Sequence, residues 1–209
     1  MKKKLYILVV LFFPIIFFAQ EFRTTRELSQ IFSESEITDI NTLVDYFESK
    51  LKVEGKAIEQ CYKDWFWTLQ NGGFESEYKL EIFTFENQLK IYEEINQETF
   101  NEIWAFESYY IETTDAALKS IRPNLQGKYL DYLRLIGQKR LEVEEYVKYV
   151  ESSDEYGPIF MGNLFTQKNE SNNNWGFRNG FQDYNDRIQL MIITLTSVDL
   201  FYRKEKWQK

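Results

Sequence analysis

The pattern of apolar and polar positions divides the chain into one uninterrupted apolar run and a longer region of helical spacing. The run extends from Leu5 to Phe18, 14 residues without a charge, and it follows three lysines at positions 2–4. A basic start, an apolar run of this length and a small residue at Ala19 are typical of a cleavable export signal. We therefore expect residues 1–19 to be a signal peptide and residues 20–209 to form the mature protein.

The apolar run is shorter than the roughly 20 residues that a membrane-spanning helix needs, and Pro14 interrupts it. An uncleaved signal-anchor segment is the alternative interpretation. Bacterial lipid attachment requires a cysteine just after the run, and the sequence has none there. We expect export to the periplasm or the medium without a lipid anchor or a stable membrane span.

Beyond the signal, apolar residues recur every three or four positions, which predicts amphipathic helices. The first stripe follows Ser33, which has the spacing of a helix-capping box with Glu36. The stripes of this half are Ile37, Ile40, Val44, Phe47 and Leu51; Ala57, Ile58, Cys61, Trp65 and Leu69; and Tyr78, Ile82, Phe85, Leu89, Tyr92 and Ile95. Residues 71–73 (Asn-Gly-Gly) end the second stripe. Residues 79–85 also fit a strand, but the absence of Gly and Pro as far as Glu94 favours a helix.

Two later stripes are the most regular. They consist of Tyr129, Leu133, Ile136, Arg140, Val143, Val147 and Val150, and of Tyr184, Ile188, Met191, Leu195, Val198 and Tyr202. Alternating steps of three and four suit helices that cross at a shallow angle. Before them, Phe100, Ile103 and Trp104 continue helical spacing, and a short segment with Leu118 and Ile121 ends at Pro123. The pattern predicts an all-α, up-and-down bundle of four to six helices.

One long irregular stretch, about residues 152–182, separates the last two stripes. It is rich in glycine, asparagine and aromatic residues. Loops of this length in compact domains are usually functional or disordered. Its aromatic residues indicate packing against the bundle, so we expect a single domain with one long loop before the last helix.

Composition supports a helical globular domain and narrows its partners. Apolar residues make up 44% of the chain and charged residues 28%, with only nine Gly and three Pro. Removal of the signal takes away three lysines and no acid, which lowers the formal net charge from −8 to −11. Nucleic-acid binding depends on cationic side chains that neutralise phosphates, so we do not expect it.

Histidine is absent from the sequence, and Cys61 is the only cysteine. These facts exclude Ser-His-Asp and Cys-His catalysis, His-ligated metal sites and an internal disulfide. Cys61 has apolar neighbours at helical spacing, so we expect it in the core, with an intermolecular disulfide or a reactive thiol as the alternative. We expect no cofactor and no bound metal.

Three patterns suggest chemistry only weakly. Ser76 and Lys79 have Ser-x-x-Lys spacing, but the partner motifs of such enzymes are missing, so a solvated helix start is expected. Residues 169–173 offer oxygen ligands for calcium without the rest of an EF-hand loop. The carboxylates Glu93, Glu94, Glu142, Glu144, Glu145, Asp183 and Asp186 mostly fall on predicted solvent faces. Two of them flanking a cleft would suit glycoside hydrolysis.

Aromatic residues give the candidate binding site. Trp65 and Trp67 point about 200° apart on a helix, so a single stripe cannot bury both. Tyr110 follows another tyrosine, and Trp175 and Phe177 lie in the long loop. Core packing is the ordinary explanation of such residues. Otherwise Trp67, Tyr110, Trp175 and Phe177 form a partner-binding surface.

The residues thus favour an exported, non-enzymatic helical protein that binds a protein, peptide or glycan in the cell envelope. They identify no catalytic residue. The first alternative is a hydrolase of envelope polysaccharide that uses two carboxylates. The second is an inhibitor or immunity-type protein, whose net charge of −11 would attract a basic toxin.

Overall fold

A computed structural model describes residues 22–72, 82–111, 116–153 and 180–207, and these residues are mostly helical. They form eight helices and one two-stranded sheet. The elements are α1 (Arg26–Ile31), α2 (Glu34–Leu51), α3 (Ile58–Gly72), α4 (Phe85–Glu94), α5 (Gln97–Ile103), β1 (Trp104–Ile111), β2 (Ala116–Pro123), α6 (Lys128–Gly137), α7 (Leu141–Ser153) and α8 (Tyr184–Trp207). None of these helices is long and apolar enough to cross a membrane.

Helix α2 forms as its sequence predicts. The backbone N–H of Ser33 donates to Glu36 Oε2 at 2.7 Å, and Ser33 Oγ accepts from the Glu36 amide at 3.4 Å, so the capping box is confirmed. All five residues of its predicted stripe are buried. Glu36 also accepts a bond from Lys128 Nζ at 2.6 Å, which joins the start of α2 to the start of α6.

Helix α8 lies at the centre of the core. Every residue from Ile188 to Asp199 is buried, which is the property of a helix covered on all sides. Helices α2 and α4 and strand β2 pack against it. Its polar side chains also bond to α3 and β1: the indole N–H of Trp65 donates to Thr194 Oγ1 at 3.1 Å, and that of Trp104 donates to Thr196 Oγ1 at 3.0 Å.

Phe100 and Ile103 are helical in α5, as predicted. The prediction that helical structure continues through Trp104 and in the short segment before Pro123 is wrong, because these residues form an antiparallel hairpin. Its register pairs Trp104 with Pro123 and Ile111 with Ala116. Strand β1 is rich in aromatic residues, which favour strands. The hairpin is fixed from α8, where Asp199 Oδ2 accepts from Ser120 Oγ and from the Ile121 amide, both at 3.0 Å.

The stripe from Tyr129 to Val150 belongs to two helices rather than one. The chain turns between Gly137 and Arg140, and α6 and α7 then pack against each other. A Cβ at Gly137 would lie 3.1 Å from the backbone of Glu144, so glycine permits this close approach. The apolar residues of the stripe are all buried, whereas Arg140 at the turn is directed toward α8.

The prediction that the protein is mostly helical is therefore confirmed. The described residues are mainly α, with one small hairpin and eight helices, more than the four to six predicted; the up-and-down arrangement of the bundle stays a prediction. The third stripe is helical from Phe85 onward, after the cap Thr84, and its first residue, Tyr78, lies outside the described residues. Helix α7 extends to Ser153, and residues 154–179 of the predicted long loop also lie outside them.

Candidate functional site

The predicted aromatic surface is described at one of its four residues. Trp67 is 46% exposed, whereas its neighbours Trp65 and Phe66 are buried. The expectation that α3 cannot bury both tryptophans is thus confirmed. Tyr110 lies in β1, but its side chain is outside what the structure describes, as are Trp175 and Phe177 altogether. The joint surface stays a prediction.

Of the other candidates from the sequence, some are described by the structure and some are not. Cys61 is a free thiol in the core, 4% exposed, which confirms the buried interpretation. The Ser76–Lys79 pattern and residues 169–173 fall outside the described residues.

The predicted carboxylates are brought together only in part. Glu93, Glu94 and Glu145 are exposed on helices. Asp183 and Asp186, by contrast, line one pocket at the N-terminal end of α8.

We call this cavity the Asp186 pocket. It has a volume of about 310 Å³ and lies where the start of α1, the turn between α6 and α7, and the start of α8 meet. Its lining residues are Thr25, Glu27, Ile136, Lys139, Arg140, Asp183, Asn185 and Asp186. Sequence reasoning did not find Glu27 and Lys139, because nothing in the local pattern marks residues 112 positions apart as partners.

Helix capping places two of these side chains. Thr25 Oγ1 accepts a bond from the Leu28 amide at 3.1 Å and caps α1. Asp183 Oδ1 accepts from the Asn185 amide at 2.9 Å and caps α8 in the same manner. Two helix N-termini, whose free N–H groups favour acceptors, therefore open toward one pocket.

Asn185 connects the elements around the pocket. Its Oδ1 accepts from Thr25 Oγ1 of the segment before α1 and from the Tyr132 hydroxyl of α6, both at 2.8 Å. Its Nδ2 donates to Glu27 Oε2 at 3.4 Å. This buried amide thus positions the acidic residue of α1 relative to α8.

Asp186 is the most buried acid of the pocket. It is 2% exposed and forms an ion pair with the guanidinium of Arg140, whose Nε donates to Glu142 Oε1 at 2.8 Å. Burial raises the pKa of Asp186 to about 6, an effect that the positive charge of Arg140 opposes. Glu142, predicted as a solvent-facing acid, does not line the pocket itself but bonds to Arg140, which does.

Glu27 is shifted in the opposite direction. Lys139 Nζ donates to its Oε1 at 2.6 Å, and this bond lowers the pKa of Glu27. The pocket therefore holds two carboxylates whose environments move their pKa values apart, an arrangement found in acid–base sites.

The described residues contain no group of three or more His, Cys, Asp or Glu side chains placed to hold a metal ion. Within the part of the chain that the structure describes, no aromatic side chain of the kind that stacks on sugar rings lines the Asp186 pocket. Comparison with protein-family models, with curated proteins and with solved structures found no match to this chain.

Proposed function

We propose that residues 20–209, after export and removal of residues 1–19, act without catalysis by binding a protein, peptide or glycan in the cell envelope. The sequence of the signal supports the export, to the periplasm or the medium. The proposal includes an up-and-down packing of the helices, with the region before α8 placed against them.

The exposure of Trp67 is the observation that carries this proposal. A tryptophan that is 46% exposed keeps much of a large apolar surface in contact with water. The adjacent Trp65 and Phe66 are buried in the core, whereas Trp67 lies on the exposed side of α3. Tryptophan is also enriched among the residues that dominate binding energy at interfaces.

The test is a pull-down from envelope fractions with the mature chain and its Trp67→Ala variant. Loss of a central tryptophan contact costs about 2 kcal/mol or more, so we expect at least a roughly tenfold loss of bound partner. Leu141→Ala is the matched control, because Leu141 is 56% exposed at the start of α7 and should not affect retention. A Trp175→Ala arm examines the loop side of the predicted surface. Equal retention by wild type and Trp67→Ala would contradict the proposal.

A second candidate is the carboxylate hydrolase of envelope polysaccharide. It is favoured by the presence of Asp186 and Glu27 in one pocket with pKa values shifted in opposite directions. Release of reducing ends from envelope polysaccharide, measured for wild type and for Asp186→Asn and Glu27→Gln, tests it. Activity that both substitutions abolish would support this function, and its absence from the wild type would reject it.

A further inference from the structure

We propose that the Asp186 pocket binds a small zwitterion, a molecule that carries an ammonium group and a carboxylate as free amino acids do. The proposal does not depend on the Trp67 surface, which lies on α3, outside this pocket.

The size of the pocket suits a small molecule. Its volume of about 310 Å³ falls at the lower end of the range for ligand pockets. Seven of its eight described lining residues carry a polar or charged group, and their aliphatic stems together with Ile136 supply apolar contact area. Such a lining favours a compact polar ligand over an apolar one.

Lys139 supplies the group for the ligand carboxylate. Its side chain is 64% exposed, and its ammonium has three N–H donors. Among the described residues it contacts one carboxylate, that of Glu27, at 2.6 Å. A second carboxylate entering the pocket can therefore accept from Lys139 without displacing Glu27.

Asp183 supplies the group for the ligand ammonium. One of its oxygens caps α8 through the Asn185 amide. A carboxylate has about four acceptor sites, and from the described residues the other oxygen receives no hydrogen bond. An ammonium group can bind there while the cap is kept.

The charges of the lining select this class over simpler ions. The guanidinium of Arg140 is held between Asp186 and Glu142 and its side chain is only 12% exposed, so a free anion does not reach it. Within the described residues, the acidic side chains are not grouped closely enough to hold a metal ion. Lys139, whose exposed ammonium keeps N–H donors beyond its bond to Glu27, and Asp183 lie in the same pocket, and together they match a ligand with one charge of each sign.

The same side chains also join α1, the α6–α7 turn and α8, so a purely structural role must be distinguished from binding. The exposed Lys139 contributes little as a structural ion pair, because water screens such contacts. Ligand analogues that lack one charge separate the two roles, since structural ion pairs do not respond to the chemistry of the ligand.

The experiment is an NMR titration of the isotope-labelled mature protein with the standard L-amino acids, tested one at a time. We expect at least one to shift the Asn185 amide with a dissociation constant in the millimolar range or below. Its α-amide and its N-acetyl derivative, which each lack one charge, should bind about tenfold more weakly.

Two variants assign the ligand groups to residues. Asp183→Asn keeps the helix cap, because Asn caps as well as Asp, and should weaken the parent amino acid about tenfold without affecting its N-acetyl derivative. Lys139→Gln should weaken the parent ligand similarly without affecting the α-amide. Circular dichroism confirms that both variants fold.

The absence of binding by every amino acid at millimolar concentration would overturn the proposal. Equal binding of the parent and both analogues would overturn it as well. Trp67→Ala should bind the zwitterion as wild type does, so failure of the partner pull-down and failure of this titration are independent results.

Discussion

At the scale of single residues, buried polar groups are placed opposite specific partners. Asp39 is an example, because its Oδ2 accepts from the backbone N–H of Asn96 at 3.2 Å and from Thr99 Oγ1 at 2.5 Å and thereby joins α2 to the start of α5. Asp186 differs, since burial opposes its ionisation although Arg140 contacts it. The contribution of this carboxyl to the free energy of unfolding therefore depends on pH.

We predict that Asp186 makes the stability depend on pH between about 4 and 6. Its folded pKa of about 6 lies above the ordinary value of 3.8, so the folded state binds the proton more tightly. The resulting contribution is complete below pH 3.8 and is lost as the pH rises to about 6, with a limit of about 3 kcal/mol. Urea unfolding of wild type and Asp186→Asn across this range measures it.

Between pH 4 and pH 7, the free energy of unfolding of wild type should fall relative to that of Asp186→Asn. Asp183, Glu142 and Arg140 surround the carboxyl in both proteins, so the difference isolates Asp186. Glu93→Gln, at an exposed acid of α4, controls for the loss of one negative charge. A pH-independent difference between wild type and Asp186→Asn would show that Asp186 does not titrate in this interval.

At the scale of elements, local sequence predicts helices well where a cap and an apolar stripe coincide, as in α2. The hairpin shows the limit of such reasoning. Trp104 is spaced as if it continued the stripe of Phe100 and Ile103, yet its indole bonds to Thr196, 92 residues away. The strand conformation is therefore stabilised by contacts that the local spacing does not contain.

We predict that Ser33→Ala lowers the free energy of unfolding by about 1 kcal/mol, because it removes the hydroxyl that caps α2. Ser49→Ala is the control within the same helix, at an exposed position where alanine is the better helix former. Chemical denaturation should show a lower midpoint for the first variant and an unchanged or slightly higher one for the second. Similar losses in both would mean that the cap contributes nothing specific.

At the scale of the whole molecule, ion pairs connect elements that are distant in sequence. Glu48 of α2 accepts from Arg23 at 2.9 Å and lies 3.4 Å from Arg187 of α8. The hydroxyl of Tyr62 in α3 also donates to it, at 3.3 Å. One partly buried carboxylate of α2 thus joins the residues just before α1 to α3 and α8.

We predict that Glu48→Gln destabilises the protein by about 2 kcal/mol, since it removes the charge that both arginines share. Asp64→Asn breaks an exposed ion pair with Lys56 and should change stability by less than about 0.5 kcal/mol. Thermal and urea unfolding of the two variants give the comparison. An equal effect of both would show that Glu48 is no more than a surface charge.

The sequence by itself determined the mostly helical class, the cap of α2, the buried stripes of α2 and of α6 and α7, and the burial of Cys61. These follow from the period of side chains along a helix, which short segments record. Tertiary structure alone decided the hairpin, the turn at Gly137 and the Asp186 pocket, which unites residues near positions 25, 139 and 185. Such contacts join segments that lie far apart in the chain. The spacing of apolar residues within each segment carries no information about them.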